Sequence, residues 1–138
     1  MKNNFKIFID IYHLPQFNLF KNFIKIMGPN KIVLCCVNRS KLVNIIKHEL
    51  PDYKLHVIGD YKYNYGPISM TFLIIIPRLL YLLKIIKKNK FKFVFTAHYQ
   101  ANFIAKLKSI RNISIIDDPR KIVLQLIKFS TKDVYLPE

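Results

Sequence analysis

The sequence predicts an α/β domain of the doubly wound type, a mostly parallel sheet of about six strands with helices on both faces. Three observations carry this. Short runs of aromatic and β-branched residues alternate with longer runs whose apolar residues recur at helical spacing. The breaks between them fall at Gly, Pro, Asn and Asp, residues that stop both kinds of element. The chain has 138 residues, 51% of them hydrophobic and 22% charged, which suits one globular domain whose core needs neither disulfide nor metal.

The first strand is Phe5 to Ile11, reading F-K-I-F-I-D-I. Pro15 suits the first turn of a helix, and Phe17, Phe20, Ile24 and Met27 give it an apolar stripe until Gly28-Pro29-Asn30 stops it. Lys31 to Val37 forms the second strand. Asn38 or Ser40 is expected to cap a helix carrying Leu42, Val43, Ile46 and Leu50, which Pro51-Asp52 ends. Lys54 to Ile58 is a short third strand, followed by the long polar and aromatic connection Gly59 to Gly66. Ile68 to Lys88 reads as a long helix bent near Pro77, since an internal proline loses a backbone hydrogen bond. In its second half Arg78, Tyr81, Lys84 and Lys88 share one face, and Leu79, Leu83 and Ile86 another. Lys92 to Thr96 is the fourth strand, and His98 to Lys108 a helix with Ala101, Ile104, Ala105 and Leu107 inward. Asn112 to Ile116, Pro119 to Phe129 and Asp133 to Leu136 complete the pattern as strand, helix and strand. Such alternation is the signature of βαβ units and makes the sheet Rossmann-like.

Composition narrows the function classes. The chain carries 23 Lys+Arg against 8 Asp+Glu, a net charge of +15, which points to a polyanionic partner or to solvated lysine faces. Cys35 and Cys36 are adjacent within an apolar strand, so they point to opposite faces and cannot easily bridge. They read as small buried hydrophobes in a reducing, cytoplasmic setting. The opening residues lack the pattern of a signal peptide. The apolar stretch from Pro67 to Leu83 contains Arg78 and is not expected to span a bilayer.

Ligands of open parallel sheets gather beyond the carboxyl ends of the strands. Those ends carry Asp10 with Tyr12-His13, Asn38-Arg39, Thr96-Ala97-His98 and Asp117-Asp118. With the usual strand order, strands one, four and five are neighbours, which would bring His13, His98 and Asp118 to one rim. Two imidazoles and a carboxylate there would serve as general base and orienting group; equally, each is a plain cap or loop residue, and His98 directly precedes a helix. His48 and His56 read as structural. The first strand–helix turn, Tyr12-His13-Leu14-Pro15-Gln16, holds no glycine to cradle a pyrophosphate, and no Walker A pattern occurs. No cofactor is therefore expected, and the histidine spacing gives zinc little support. Lys84, Lys87, Lys88, Lys90 and Lys92 lie near Tyr61, Tyr63, Tyr65 and Phe91, a mixture able to track a nucleic-acid strand. Lysines at a helix C-terminus also suit the helix dipole, and nucleic acid ranks third among the partners.

The pattern Ile9-Asp10-Ile11-x-His13-x-Pro15-x-x-Asn18-x-Phe20 resembles the N-terminal domain of GT-B-type glycosyltransferase-like proteins, akin to sugar-nucleotide epimerases and to glycosyltransferases of envelope synthesis. Val57-Ile58-Gly59, the basic helix, Thr96-Ala97-His98, Ile116-Asp117-Asp118 and Asp133 to Glu138 continue the resemblance in order along nearly the whole chain. Leu14, Gln16, Tyr99, Gln100, Asp117 and Arg120 depart from the family's pattern. The resemblance implies one N-terminal, acceptor-side lobe over residues 1–138, with the donor-binding C-terminal lobe absent and supplied by a partner. It implies a surface-polysaccharide or glycolipid acceptor, His13, His98 and Asp118 as catalytic residues, and Asp10, Asn18 and Asp117 as substrate-binding residues. Lys84, Lys87 and Lys88 would then rest on the cytoplasmic membrane face. The alternative is an inactive remnant or binding module at an anionic membrane surface.

Overall fold

The structure is a computed structural model describing residues 5–39, 41–60, 75–96, 98–115, 125, 128, 131 and 133–135. Six strands form one sheet: β1 (Lys6–Ile11), β2 (Ile32–Asn38), β3 (Lys54–Asp60), β4 (Phe91–Thr96), β5 (Arg111–Ile115) and β6 (Asp133–Tyr135). Their order is β3-β2-β1-β4-β5-β6 and every pairing is parallel. The helices are α1 (Leu14–Met27), α2 (Leu42–Glu49), α3 (Ile76–Lys88) and α4 (Tyr99–Leu107). This is the doubly wound, Rossmann-like arrangement that the alternating sequence predicts.

Burial on both faces explains why β1 and β2 are nearly continuous apolar runs. Along β1, Ile7, Ile9 and Ile11 enter one core with Phe17, Phe20 and Ile24 of α1 and with Leu42 and Ile46 of α2. Phe8 points the other way, into a second core with Leu82, Ile85 and Ile86 of α3 and Ala101, Ile104 and Ala105 of α4. The period of two along a strand divides the cysteines as well: Cys36 lies in the first core and Cys35 in the second. Both are free and buried. Burial, followed by the nearby Asp10, raises both thiols, Cys36 to about 12, so neither supplies a thiolate nucleophile.

Topology positions the site. From β1 the chain winds outward through β2 to β3, then crosses back to place β4 on the other side of β1. The carboxyl ends of β1 and β4 therefore lie side by side, with Asp10 registered against Thr96. Divergence of the loops on either side of β1 makes this the position where such sheets hold ligands.

Several expectations change. Arg78 does not join the outward lysine face of its helix; its side chain is fully buried. Pro77 is the second residue of α3, and Ile75 before the helix already has helical backbone angles. Residues 68–74 of the long helix expected there lie outside the described residues. Leu107 is not inward but 59% exposed, because it ends α4 beyond the sheet. Lys41 occupies the cap position of α2 without a side-chain capping hydrogen bond, and Ser40, expected to cap it, lies outside the described residues. The helix expected over Pro119 to Phe129 falls almost wholly outside the described residues.

Candidate functional site at the carboxyl edge

The β1–α1 turn is shaped by Gln16. Its Oε1 accepts hydrogen bonds from the backbone N–H of Tyr12 at 2.8 Å and of His13 at 3.3 Å. Gln16 is the third residue of α1 and reaches back to the cap, the return arm of a capping box. Only 4% exposed, it locks the direction in which Tyr12 and His13 leave the strand. Gln16 is thus a structural keystone of the turn.

Beneath the rim lies a buried ion pair. Asp10 Oδ1 accepts a hydrogen bond from Arg78 Nη2, and both side chains are fully buried. Arg78 Nη1 donates to the carbonyl of Ile58 on β3 at 2.8 Å, and its guanidinium carbon lies 4.7 Å from the Tyr12 ring centroid. Burial alone would lower the guanidinium pKa, but Asp10, with Cys35 and Tyr12, more than offsets it and leaves the pKa raised. Arg78 is thus permanently charged, and it ties β1, β3, α3 and Tyr12 together.

Tyr12 is the centre of the rim. Its hydroxyl donates to Gln100 Oε1 at 3.3 Å. The His98 ring stacks on it with centroids 4.1 Å apart and planes 9° from parallel, while the His13 ring centroid lies 6.0 Å away. His98 is the cap residue of α4, yet its side chain makes no capping hydrogen bond; its backbone N–H donates to Thr96 Oγ1 at 2.9 Å instead. Asp10 Oδ2 and Gln100 Nε2, both buried, have no hydrogen-bond partner among the described residues.

Outside Tyr12 an open cleft of about 280 Å³ separates the β1–α1 turn from the start of α2. Its polar lining is Tyr12, His13, Arg39 and Lys41, and its apolar lining Leu14, Pro15, Leu42 and Ile45. Arg39 Nη1 lies 2.7 Å from His13 Nδ1. A guanidinium can only donate, so a ring nitrogen that accepts from it carries a lone pair; the same Nη1 also lies 3.3 Å from Nε2. Among the described residues the cleft offers positive charge beside aliphatic walls and no carboxylate, a lining suited to an anionic ligand with an apolar or carbohydrate body.

Of the residues singled out from sequence, His13 and His98 meet at one rim on either side of Tyr12, although only His13 lines the cleft. Asp10 is buried beneath that rim on Arg78. Asn18 is exposed on α1 and is not among the cleft's lining residues. Asp117 and Asp118 lie outside the described residues. Lys84, Lys87 and Lys88 are exposed on α3. Tyr12 and Arg39 belong to strand ends named from sequence without a role, whereas the parts played by Gln16 and Arg78 emerge only from the structure. Arg78 left a signal: a lone cation in an apolar helix and a lone carboxylate in an apolar strand are each too costly to bury unpaired. Among the described residues, no cluster of His, Cys, Asp and Glu is arranged to hold a metal ion. No helix among them is long and apolar enough to cross a membrane.

Fold and site together define a parallel α/β domain with a basic cleft at the carboxyl edge of its sheet, between the β1–α1 turn and the start of α2. No family model matches the chain, and no curated protein matches it.

Proposed function

We propose that this domain is the acceptor-side lobe of a GT-B-type glycosyltransferase-like protein, holding an anionic saccharide or glycolipid of surface-polysaccharide synthesis. The observation that supports this reading is the cleft at the carboxyl edge, where His13, Arg39 and Lys41 converge beside apolar walls. Arg39 and Lys41 recognise the anionic group of the acceptor. When that group recruits the Arg39 N–H, the 2.7 Å contact to His13 Nδ1 opens. The imidazole then serves as general base toward an acceptor hydroxyl. Tyr12, held by Gln100, Arg78 and the stacked His98, forms the wall against which this occurs. The donor side belongs to a second lobe, with closure of the two over the reacting sugars.

Saturation-transfer NMR with acidic oligosaccharides and their neutral counterparts tests the reading. Binding of the acidic compounds, weakened by Arg39→Gln with Lys41→Gln, is the expected result. Failure to bind any saccharide at millimolar concentration, or binding indifferent to both substitutions, would remove the proposal's basis.

A further inference from the structure

The opposite edge of the sheet presents a different surface. Because all strands are parallel, their first residues line one edge, and each connecting helix returns to end there. Lys6, Lys54 and Arg111 open β1, β3 and β5, while Lys31 and Lys92 stand at the starts of β2 and β4; all five are exposed. The last turns of α1, α2, α3 and α4 add Lys25, Lys47, Lys87 with Lys88, and Lys106.

A basic last turn has an internal explanation, since lysine there offsets the negative end of the helix dipole. The strand lysines have none, because a sheet carries only a small net dipole. Moreover, Lys31 and Lys92 are drawn together over one ring, their Nζ atoms 5.6 and 5.3 Å from the Phe5 centroid. Acids at this edge do little to neutralise it. Glu49 is held by Lys21 and Lys25, and Asp133 by Arg111, leaving Asp52 as the other carboxylate among the described residues here.

Two large aliphatic side chains project among these cations: Ile26 at the end of α1, 83% exposed, and Leu107 at the end of α4, 59% exposed. They decide between polyanions. Binding of single-stranded nucleic acid relies on open aromatic faces for stacking, but Phe5 and Phe93 at this edge are partly buried and already sit beneath cations. Aliphatic projections in a basic field instead match the boundary between lipid headgroups and acyl chains.

We infer that the amino-terminal edge of the sheet docks on an anionic lipid bilayer, with its lysines against the headgroups and Ile26 and Leu107 reaching the acyl boundary. This stands apart from the cleft reading: the cleft lies at the other edge and faces away from the bilayer, so the acceptor that reaches it while the edge is docked is a saccharide in solution, not a glycolipid of the same bilayer. Lys87 and Lys88 belong to the docking edge, whereas Lys84 lies a turn further back along α3.

Flotation of the full chain with phosphatidylcholine vesicles, with and without phosphatidylglycerol, tests the inference. Binding is expected only to the anionic vesicles and should weaken as ionic strength rises toward about 0.15 M. The combined variant Lys31→Gln, Lys92→Gln, Lys106→Gln, Lys87→Gln should bind about six-hundredfold more weakly, at about fivefold per lysine. Circular dichroism reports whether it stays folded. Ile26→Ser with Leu107→Ser, both on exposed positions, should weaken vesicle binding while leaving any oligonucleotide binding unchanged. No binding to anionic vesicles at low salt overturns the inference, as does full binding by the serine variant. Tighter, lysine-dependent binding to a single-stranded oligonucleotide would assign the edge to nucleic acid instead.

Discussion

Arg78→Met is the perturbation whose consequence the structure defines most sharply. Methionine keeps much of the apolar stem but deletes the guanidinium that meets Asp10, the Ile58 carbonyl and the Tyr12 ring. The largest loss is the pair itself, because stranding one partner of a buried ion pair costs about 3–5 kcal/mol. Leaving the Ile58 carbonyl unpaired adds about 1–3 kcal/mol if no water reaches it, and loss of the cation–π contact about 0.5–2 kcal/mol. These terms share one side chain and do not add; a net destabilisation of about 4 kcal/mol is the reasoned value. Against a domain stability of about 5–15 kcal/mol this is severe. Urea unfolding followed by circular dichroism should show the midpoint falling by about 2 M, for a slope near 2 kcal/mol per M. Replacing both partners, Asp10→Leu with Arg78→Met, removes the stranded charge and should recover most of the loss. A single variant costing less than about 1 kcal/mol, or a double variant as unstable as the single, would refute the claim that the pair organises the rim.

Three further expectations follow from separate features. Burial, with a smaller contribution from Lys54, lowers the His56 pKa; the folded state therefore resists protonation there. Its stabilising contribution is complete above the unfolded value near 6.5 and declines as pH falls from there toward the folded value. In urea titrations across that range, His56→Gln should flatten the decline, and an unchanged pH slope would dismiss the assignment. Gln16→Ala removes the acceptor for two backbone N–H groups and should cost about 1 kcal/mol by thermal or urea unfolding, whereas Gln16→Glu should be nearly neutral because it keeps the acceptor. Cys35 and Cys36 should react with an aromatic disulfide reagent only as fast as the domain opens; rapid labelling of the folded protein would contradict their burial.

The parts of the fold legible in the sequence are those fixed by local pattern. The strands are apolar, β-branched or aromatic runs, and α1 and α4 declare themselves through helical periodicity and punctuation. The parallel sheet followed from alternation, and adjacency of β1 and β4 from the usual winding, which is why His13 and His98 could be expected at one rim. What escaped depended on contacts distant in sequence. Arg78 looks like an outward residue when its helix is read alone, because Tyr81 and Lys84 share its side; only Asp10, 68 positions away, draws it inward. Arg39 becomes part of the cleft through His13, 26 positions distant. Tyr12 gains its importance from packing against α3 and α4, which no short motif encodes. Gln16 is legible as the third residue of a helix with proline in its first turn, the position from which a glutamine reaches back to the cap.

The account turns on the basic cleft beside Tyr12, and the imidazole resonances report on it directly. Proton–nitrogen NMR of the full chain should be recorded while an oligosaccharide of uronic acid units is added. Recruitment of Arg39 by the acid predicts a large change at His13 Nδ1, a smaller one at His98 through the shared tyrosine, and neither in Arg39→Gln. Resonances of His13 and Arg39 that stay fixed while those of lysines at the far edge of the sheet move would contradict it.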